Sequence, residues 1–166
     1  METVKKILLA SPRGFCAGVA RAVKAVEDTL EIFGAPVYVK HEIVHNKHVV
    51  KDLEGKGAIT IETLDEAPEG SVVVFSAHGS PPNHYAEAKA RGIQLIDATC
   101  PLVTKVHLEV QRFIKDGYQI IYIGHKGHIE GVGVLGEAPG VEIPLIETVE
   151  DVLGLEIGNP EKLVYL

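Results

Sequence analysis

The chain has 166 residues, about one domain on the usual rule of roughly 100–200 residues per domain, and its 46% hydrophobic content is ample for a buried core. Its formal charge of -7 argues against nucleic acid or an anionic membrane as the main partner, because both need a basic surface. No apolar run reaches the roughly 18–20 residues of a membrane span, and the N-terminal apolar stretch is too short for a secretory signal. We therefore expect a cytoplasmic protein.

Apolar runs punctuated by glycines predict an alternation of strands and helices along the chain. The predicted strands cover residues 5–10, 37–40, 58–61, 71–76, 93–96, 119–123 and, more weakly, 141–146. The predicted helices are residues 19–33, one from its N-cap Asn46 to about residue 54, one capped by Asn83 and stopped at Gly92, one from Pro101 to its stop at Gly117, and a short one from Thr148. An apolar tail, KLVYL, ends the chain.

This alternation indicates a parallel sheet, because parallel strands need crossover connections and helices are the common solution. We predict an α/β fold with mostly parallel sheets and flanking helices. A division near Asp97 would give two similar α/β units, residues 1–97 and 98–166, although a single sheet also fits the pattern.

Reactive side chains follow the predicted strands. In an open α/β sheet the ligand lies beyond the carboxyl ends of the strands, so these loops are where chemistry is expected. The loops are SPRGFCAG with Cys16, HEIVHN with His45, SAHGSPP with His78, DATCP with Cys100, and GHKGHIEG with His128 and Glu130. Their clustering predicts one functional site at this edge of the fold.

The two cysteines have ordinary alternatives. Two are too few for a dense disulfide scaffold, and a lone cysteine is more often a small buried hydrophobe than a ligand. Both, however, precede predicted helices, where first-turn amides and the helix dipole favour the thiolate. A disulfide between Cys16 and Cys100 is a third possibility, which a reducing cytoplasm disfavours.

The histidine loops also leave alternatives open. His45, His78 and His128 stand beside turn-forming residues whose backbone amides could join them around an anion, and Glu130 is either a solvated carboxylate or a general acid. The letters HEIVH fit the HExxH pattern of zinc proteases, but that pattern needs a helix, and the flanking residues favour a strand that leaves into a loop. A zinc-dependent hydrolase and a non-catalytic diphosphate-binding module are the alternative functions.

Five segments occur in one order: SPRGFCAGVARAV, YVKHEIVHNKHVV, FSAHGSPP, DATCPLVTKVH and GHKGHIEGVGVLGE. In this order they resemble the motifs of the 4-hydroxy-3-methylbut-2-enyl diphosphate reductases, the IspH or LytB family, over the whole chain. The resemblance implies a three-domain α/β fold of which this chain is the N-terminal part, because the family's third domain has no counterpart here. It also implies an iron–sulfur enzyme that performs the last step of the non-mevalonate isoprenoid pathway.

The resemblance implies a role for each matched residue. Cys16 and Cys100 would be ligands of a 4Fe–4S cluster whose third cysteine is absent from this chain, and the iron that lacks a cysteine would act as Lewis acid and electron donor toward the substrate hydroxyl. Glu130 would relay a proton to the substrate. The residues that would hold the substrate diphosphate are His45, His78 and His128. The implied partners are an isoprenoid diphosphate and ferredoxin or flavodoxin, and we expect the chain alone to be inactive.

Overall fold

The computed structural model describes residues 6–166. The helices are α1 Ala17–Phe33, α2 Lys47–Gly55, α3 Pro82–Ala90, α4 Pro101–Lys115, α5 Ile129–Leu135 and α6 Val149–Val152. The strands are β1 Val37–Lys40, β2 Ala58–Ile61, β3 Val72–Phe75, β4 Gln94–Asp97, β5 Gln119–Ile123, β6 Leu145–Ile146 and β7 Leu163–Tyr165. Single turns of 3-10 helix occupy Leu64–Glu66 and Pro160–Lys162.

The strands of residues 6–166 form two sheets, and every pairing among them is parallel. One sheet has the order β2-β1-β3-β4, and the other has the order β6-β5-β7. This arrangement confirms the predicted α/β fold with flanking helices. Since strands of one parallel sheet end at the same edge, the loops after β1, β3 and β4 are brought together there. The unit boundary near Asp97 stays a prediction.

The core lies on both faces of the four-stranded sheet. Val74 packs with Val26 of α1 on one face, while its neighbours Val73 and Phe75 pack with Ala88 of α3 on the other. Successive strand residues point to opposite faces, so this β-branched run is buried on both sides, as its lack of polar alternation predicts. Within residues 6–166, no helix combines the length and apolar character needed to cross a membrane.

The prediction of a strand at residues 5–10 is wrong for residues 6–10, the part of this segment that the structure describes. Lys5 lies outside the described residues, and residues 6–10 have no regular secondary structure. Ile7, Leu8 and Leu9 are mostly exposed, and none of the strands in residues 6–166 pairs with them. An apolar run becomes a strand only when a neighbouring strand supplies partners for its backbone, and the described part of the chain supplies none there.

The glycine-rich loop predicted after β5 contains a helix. The chain turns helical at Ile129, with His128 as the N-cap residue of α5. The start of α3 also differs, because Pro81 is its N-cap and Pro82 its first residue, whereas Asn83 lies inside the first turn. Proline is favoured at the first helical position, where no backbone N–H is needed.

Candidate functional site

The parallel topology gathers the predicted site residues around one cavity. It has a volume of about 510 Å³ and lies beyond the carboxyl ends of β1 and β3. Five of the six candidates line it, namely Cys16, Cys100, His45, His78 and Glu130. The sixth, His128, contacts His45 and precedes Glu130 by two residues. The six therefore form a single cluster, as their positions in loops after predicted strands led us to expect.

Three imidazole rings pack against one another in this cluster. The ring centroid of His45 lies 4.2 Å from that of His78 and 5.2 Å from that of His128. The Nε2 atoms of His45 and His128 are 3.2 Å apart. Two facing ring nitrogens hydrogen-bond when only one carries a proton, so at least one of these rings is neutral along this contact.

Burial and like charge oppose protonation of His78. Burial and, after it, the like charges that His45 and His128 can carry together lower its pKa to about 4. Its Nδ1 atom lies 3.1 Å from the hydroxyl oxygen of Ser76, the first residue after β3. This hydrogen bond fixes the orientation of the His78 ring. At neutral pH the ring is therefore uncharged and oriented.

The helix α5 couples His128 to Glu130. The Glu130 backbone N–H donates to His128 Nδ1 at 3.3 Å, so the proton of the neutral His128 ring lies on Nε2, the atom that faces His45. The Glu130 side chain is half-buried and lines the cavity. Burial and, next, the negative charge of Glu130 raise the pKa of Tyr122 on β5.

The two cysteines face each other across Gly18. Cys16 is the N-cap of α1 and its Sγ accepts from the Val19 backbone N–H at 3.5 Å, while Cys100 is the N-cap of α4. A Cβ on Gly18 would lie 2.6 Å from Cys100 Sγ and 3.9 Å from Cys16 Sγ. Both thiols are free, so the structure does not contain the alternative disulfide.

These observations fit two corners of an iron–sulfur cluster. Thiolates are its usual ligands, and both sulfurs border one open space that a side chain at Gly18 would fill. An N–H donor on a ligand sulfur is a common feature of such sites. Within residues 6–166, no three His, Cys, Asp or Glu side chains converge to hold a single metal ion.

We expect Gly18→Ala to separate the two thiols, because the added methyl group would collide with Cys100 Sγ. Phenylarsine oxide, which bridges closely spaced thiols, should bind the wild-type chain and bind this variant at least about tenfold more weakly. The control is Gly55→Ala in α2, where a Cβ would meet nothing within 4 Å. Equal binding by all three proteins would contradict the paired-thiol geometry.

The HEIVH segment does not form a zinc-protease site. Residues 41–46 form a loop, and His41 has a positive φ of 61°. Its Nε2 atom lies 2.7 Å from Lys40 Nζ and its Nδ1 atom lies 2.9 Å from Glu62 Oε2. Both ring nitrogens are thus occupied, and His41 and His45 do not share a helical face.

Two residues near the site escape the sequence-based prediction. Tyr122 lies on β5 with its ring against Gly131, and His107 lies on α4 with its ring against Gly79. Neither stands in a loop after a strand, which is the signal used to find the others. The glycines that follow His78 and Glu130 are the only hint in the sequence that large side chains approach there.

Comparison with known proteins identifies a family for this chain. The family model described as LytB protein matches residues 7–166. A 4-hydroxy-3-methylbut-2-enyl diphosphate reductase from Bordetella pertussis is 58% identical over 161 residues, which are 97% of this chain and 49% of that protein. One from Cereibacter sphaeroides is 58% identical over 160 residues, 96% of this chain and 50% of that protein.

Solved structures give the same result. The E-1-hydroxy-2-methyl-but-2-enyl-4-diphosphate reductase from Plasmodium falciparum superimposes with a TM-score of 0.89 and 48% identity, over 94% of this chain and 49% of that one. A second reductase structure gives a TM-score of 0.77 with 33% identity, over 96% of this chain and 57% of that one. The chain thus spans about half the length of the curated relatives it matches. Its motifs, its fold and a family match over residues 7–166 show that this chain belongs to the LytB protein family.

Proposed function

We propose that this chain supplies the N-terminal half of the active site of a reductase that acts on (E)-4-hydroxy-3-methylbut-2-enyl diphosphate. The reaction consumes two electrons and two protons, breaks the allylic C–O bond, and yields water with isopentenyl or dimethylallyl diphosphate. The observation that carries this proposal is the convergence of three histidines, one carboxylate and two thiols at a single cavity. Relatives that share this part of the chain bear the name of this reductase.

His45, His78 and His128 would bind the diphosphate. Hydrogen bonds between charged partners contribute about 1.5–3 kcal/mol each, so three of them can hold a polyanion on a chain whose net charge is -7. In the free protein the protonated His128 Nε2 donates to His45 Nε2. An anion placed between these rings would favour a proton on both facing nitrogens, so binding should be accompanied by proton uptake.

We expect the His78 ring to change its protonation on binding. In the free chain its NMR titration midpoint should lie near pH 4, because burial and two neighbouring imidazoles oppose the charge. Saturating inorganic pyrophosphate should raise that midpoint, since an adjacent anion stabilises the imidazolium. The free form binds fewer protons than the complex, so the affinity should rise as the pH falls through the bound-state pKa and should level off near pH 4, the free-state pKa.

Calorimetry in buffers of different ionisation heat tests this expectation, because proton uptake makes the observed heat depend on the buffer. His78→Gln should reduce the uptake. The matched control is His125→Gln, a histidine of the same cluster of loops whose side chain is 86% exposed and does not line the cavity. Binding without proton uptake would contradict the proposed role of these rings.

Glu130 would deliver the proton that leaves with the hydroxyl oxygen. It lines the cavity from the first turn of α5, where its own backbone N–H holds His128. A diphosphate on His128 would therefore place the rest of the substrate beside this carboxyl group. The acid form must be regenerated in each cycle, and the second proton of the reaction goes to the allylic carbon.

Cys16 and Cys100 would hold the cluster that supplies the two electrons, with a third cysteine ligand from outside residues 1–166. Both residues are helix N-caps, where first-turn backbone N–H groups can donate to a ligand sulfur, as the Val19 N–H does to Cys16 Sγ. A small electron carrier of the ferredoxin or flavodoxin class would reduce the 4Fe–4S cluster again after each turnover.

Anaerobic reconstitution with iron, sulfide and competing zinc tests this assignment against the zinc hydrolase. The test protein is a chimaera in which this chain replaces the matching half of the Bordetella pertussis relative, so that a complete ligand set is present. We expect iron and sulfide in the product. Zinc alone, with no sulfide, would contradict the reductase.

A further inference from the structure

We infer that His107 is a positioning residue that sets the placement of the His78 loop relative to the helix that carries Glu130. The inference rests on the proposed function only for the identity of the ligand, a diphosphate; the placement of the loop and the helix does not depend on it. His107 lies on α4, outside the cavity, and only 8% of its surface is exposed. It is thus a buried polar side chain to which the proposed mechanism gives no role.

The His107 ring fills the gap between two glycines that belong to the site's supporting elements. A Cβ on Gly79 would lie 2.8 Å from its Nε2 atom, and one on Gly133 would lie 3.3 Å from the same atom. Gly79 directly follows His78, and Gly133 stands on α5 three residues after Glu130. One edge of the His107 ring therefore packs against the backbone of the loop that carries His78 and of the helix that carries Glu130.

A carboxylate anchors the ring at its other nitrogen. His107 Nδ1 lies 2.8 Å from Glu137 Oε1, and the Gln111 side-chain amide donates to the second oxygen of Glu137 at 2.5 Å. The His107 and Glu137 side chains are only 10% and 8% exposed. Buried charge-assisted hydrogen bonds hold their partners in one geometry, so the ring cannot turn away from the glycines at little cost.

The unanchored nitrogen shows that the contact is steric. His107 Nε2 is buried and has no hydrogen-bond partner among the described residues. An unpaired buried nitrogen is unfavourable, so this edge of the ring gains its contacts from packing against the Gly79 and Gly133 backbone and not from a hydrogen bond. Gly79 has a φ of +79°, a conformation that favours glycine, and its carbonyl carbon would lie 3.5 Å from a Cβ on Gly133. The two backbones are thus nearly in contact, and a change of ring volume would move one against the other.

The test compares variants of the 166-residue chain by pyrophosphate titration and by the imidazole NMR signals of the site. His107→Ala should shift the signals of His78 and His128 and weaken pyrophosphate binding at least about tenfold. The matched control is Val110→Ala, a fully buried residue on the same helix that packs with Val134 but does not reach Gly79. It should lower the melting temperature with less than about a twofold change in affinity.

Gly133→Ala provides a second, independent variant, because its methyl group would press on the same ring edge at 3.2–3.3 Å. Alone it should also shift the His78 signal. Combined with His107→Ala it should restore part of the affinity, since the methyl group then refills vacated space. Signals of His78 and His128 that move no more in these variants than in Val110→Ala would overturn the inference. Those signals are read without ligand, so a wild-type chain that fails to bind pyrophosphate would overturn only the proposed function.

Discussion

Replacing either cysteine by serine, Cys16→Ser or Cys100→Ser, should leave the chimaera without a stable iron–sulfur cluster. Cys16 and Cys100 cap the first turns of α1 and α4, and both sulfurs border the space left open by Gly18. A serine hydroxyl is a far weaker and harder ligand than a thiolate, so one missing sulfur should remove most of the bound iron. Iron and sulfide analysis after anaerobic reconstitution, together with the visible absorption of the cluster, measures the loss. Reductase turnover should fall to background.

Pyrophosphate binding separates loss of the cluster from loss of the fold. The three histidines do not depend on either sulfur for their contacts, so Cys16→Ser and Cys100→Ser should bind pyrophosphate within about threefold of the wild-type chain. A brown protein with unchanged iron and sulfide in either variant would remove that cysteine from the ligand set.

Replacing Glu130 by glutamine should lower turnover by roughly 10²–10⁴-fold in the same chimaera, because the amide cannot donate a carboxylic proton to the departing hydroxyl. The side chain keeps its size, and the backbone N–H that holds His128 is unaltered. The substrate's KM should therefore change by only several-fold, whereas kcat carries the loss. Steady-state kinetics with a chemical electron donor separates the two constants.

Glu142→Gln is the matched control for this substitution. Glu142 is exposed, lies beyond α5 in the same part of the chain, and does not line the cavity. Its variant should keep wild-type turnover and KM. If Glu130→Gln retained full turnover, Glu130 would not be the acid, and a water or another group would have to deliver the proton.

Much of the site is predictable because it follows from the parallel direction of the strands. The β-branched run 72–75 must be buried on both faces, and parallel strands then place His45, His78 and Cys100 at one edge of the sheet. The local sequence pattern determines whether a segment is a helix or a strand and at which edge of the sheet the following loop lies. The distances between the rings are not, because they depend on how two separate sheets pack together.

Two of the wrong predictions have tertiary causes. Residues 6–10 have the composition of a strand but no strand of the described chain beside them, and local pattern carries no information about a missing partner. The helix α5 contains Gly131 and Gly133, which disfavour a helix locally. It forms because those glycines let Tyr122 and His107 pack directly against its backbone.

The reaction itself is the most direct test. The chimaera of this chain with the C-terminal half of the Bordetella pertussis relative, reconstituted anaerobically and reduced, should convert (E)-4-hydroxy-3-methylbut-2-enyl diphosphate to isopentenyl and dimethylallyl diphosphates, detected by mass spectrometry. The relative's intact enzyme serves as the positive control under the same conditions. A folded, iron-loaded chimaera that binds pyrophosphate yet forms neither product, while the intact relative forms both, would contradict the proposed reductase.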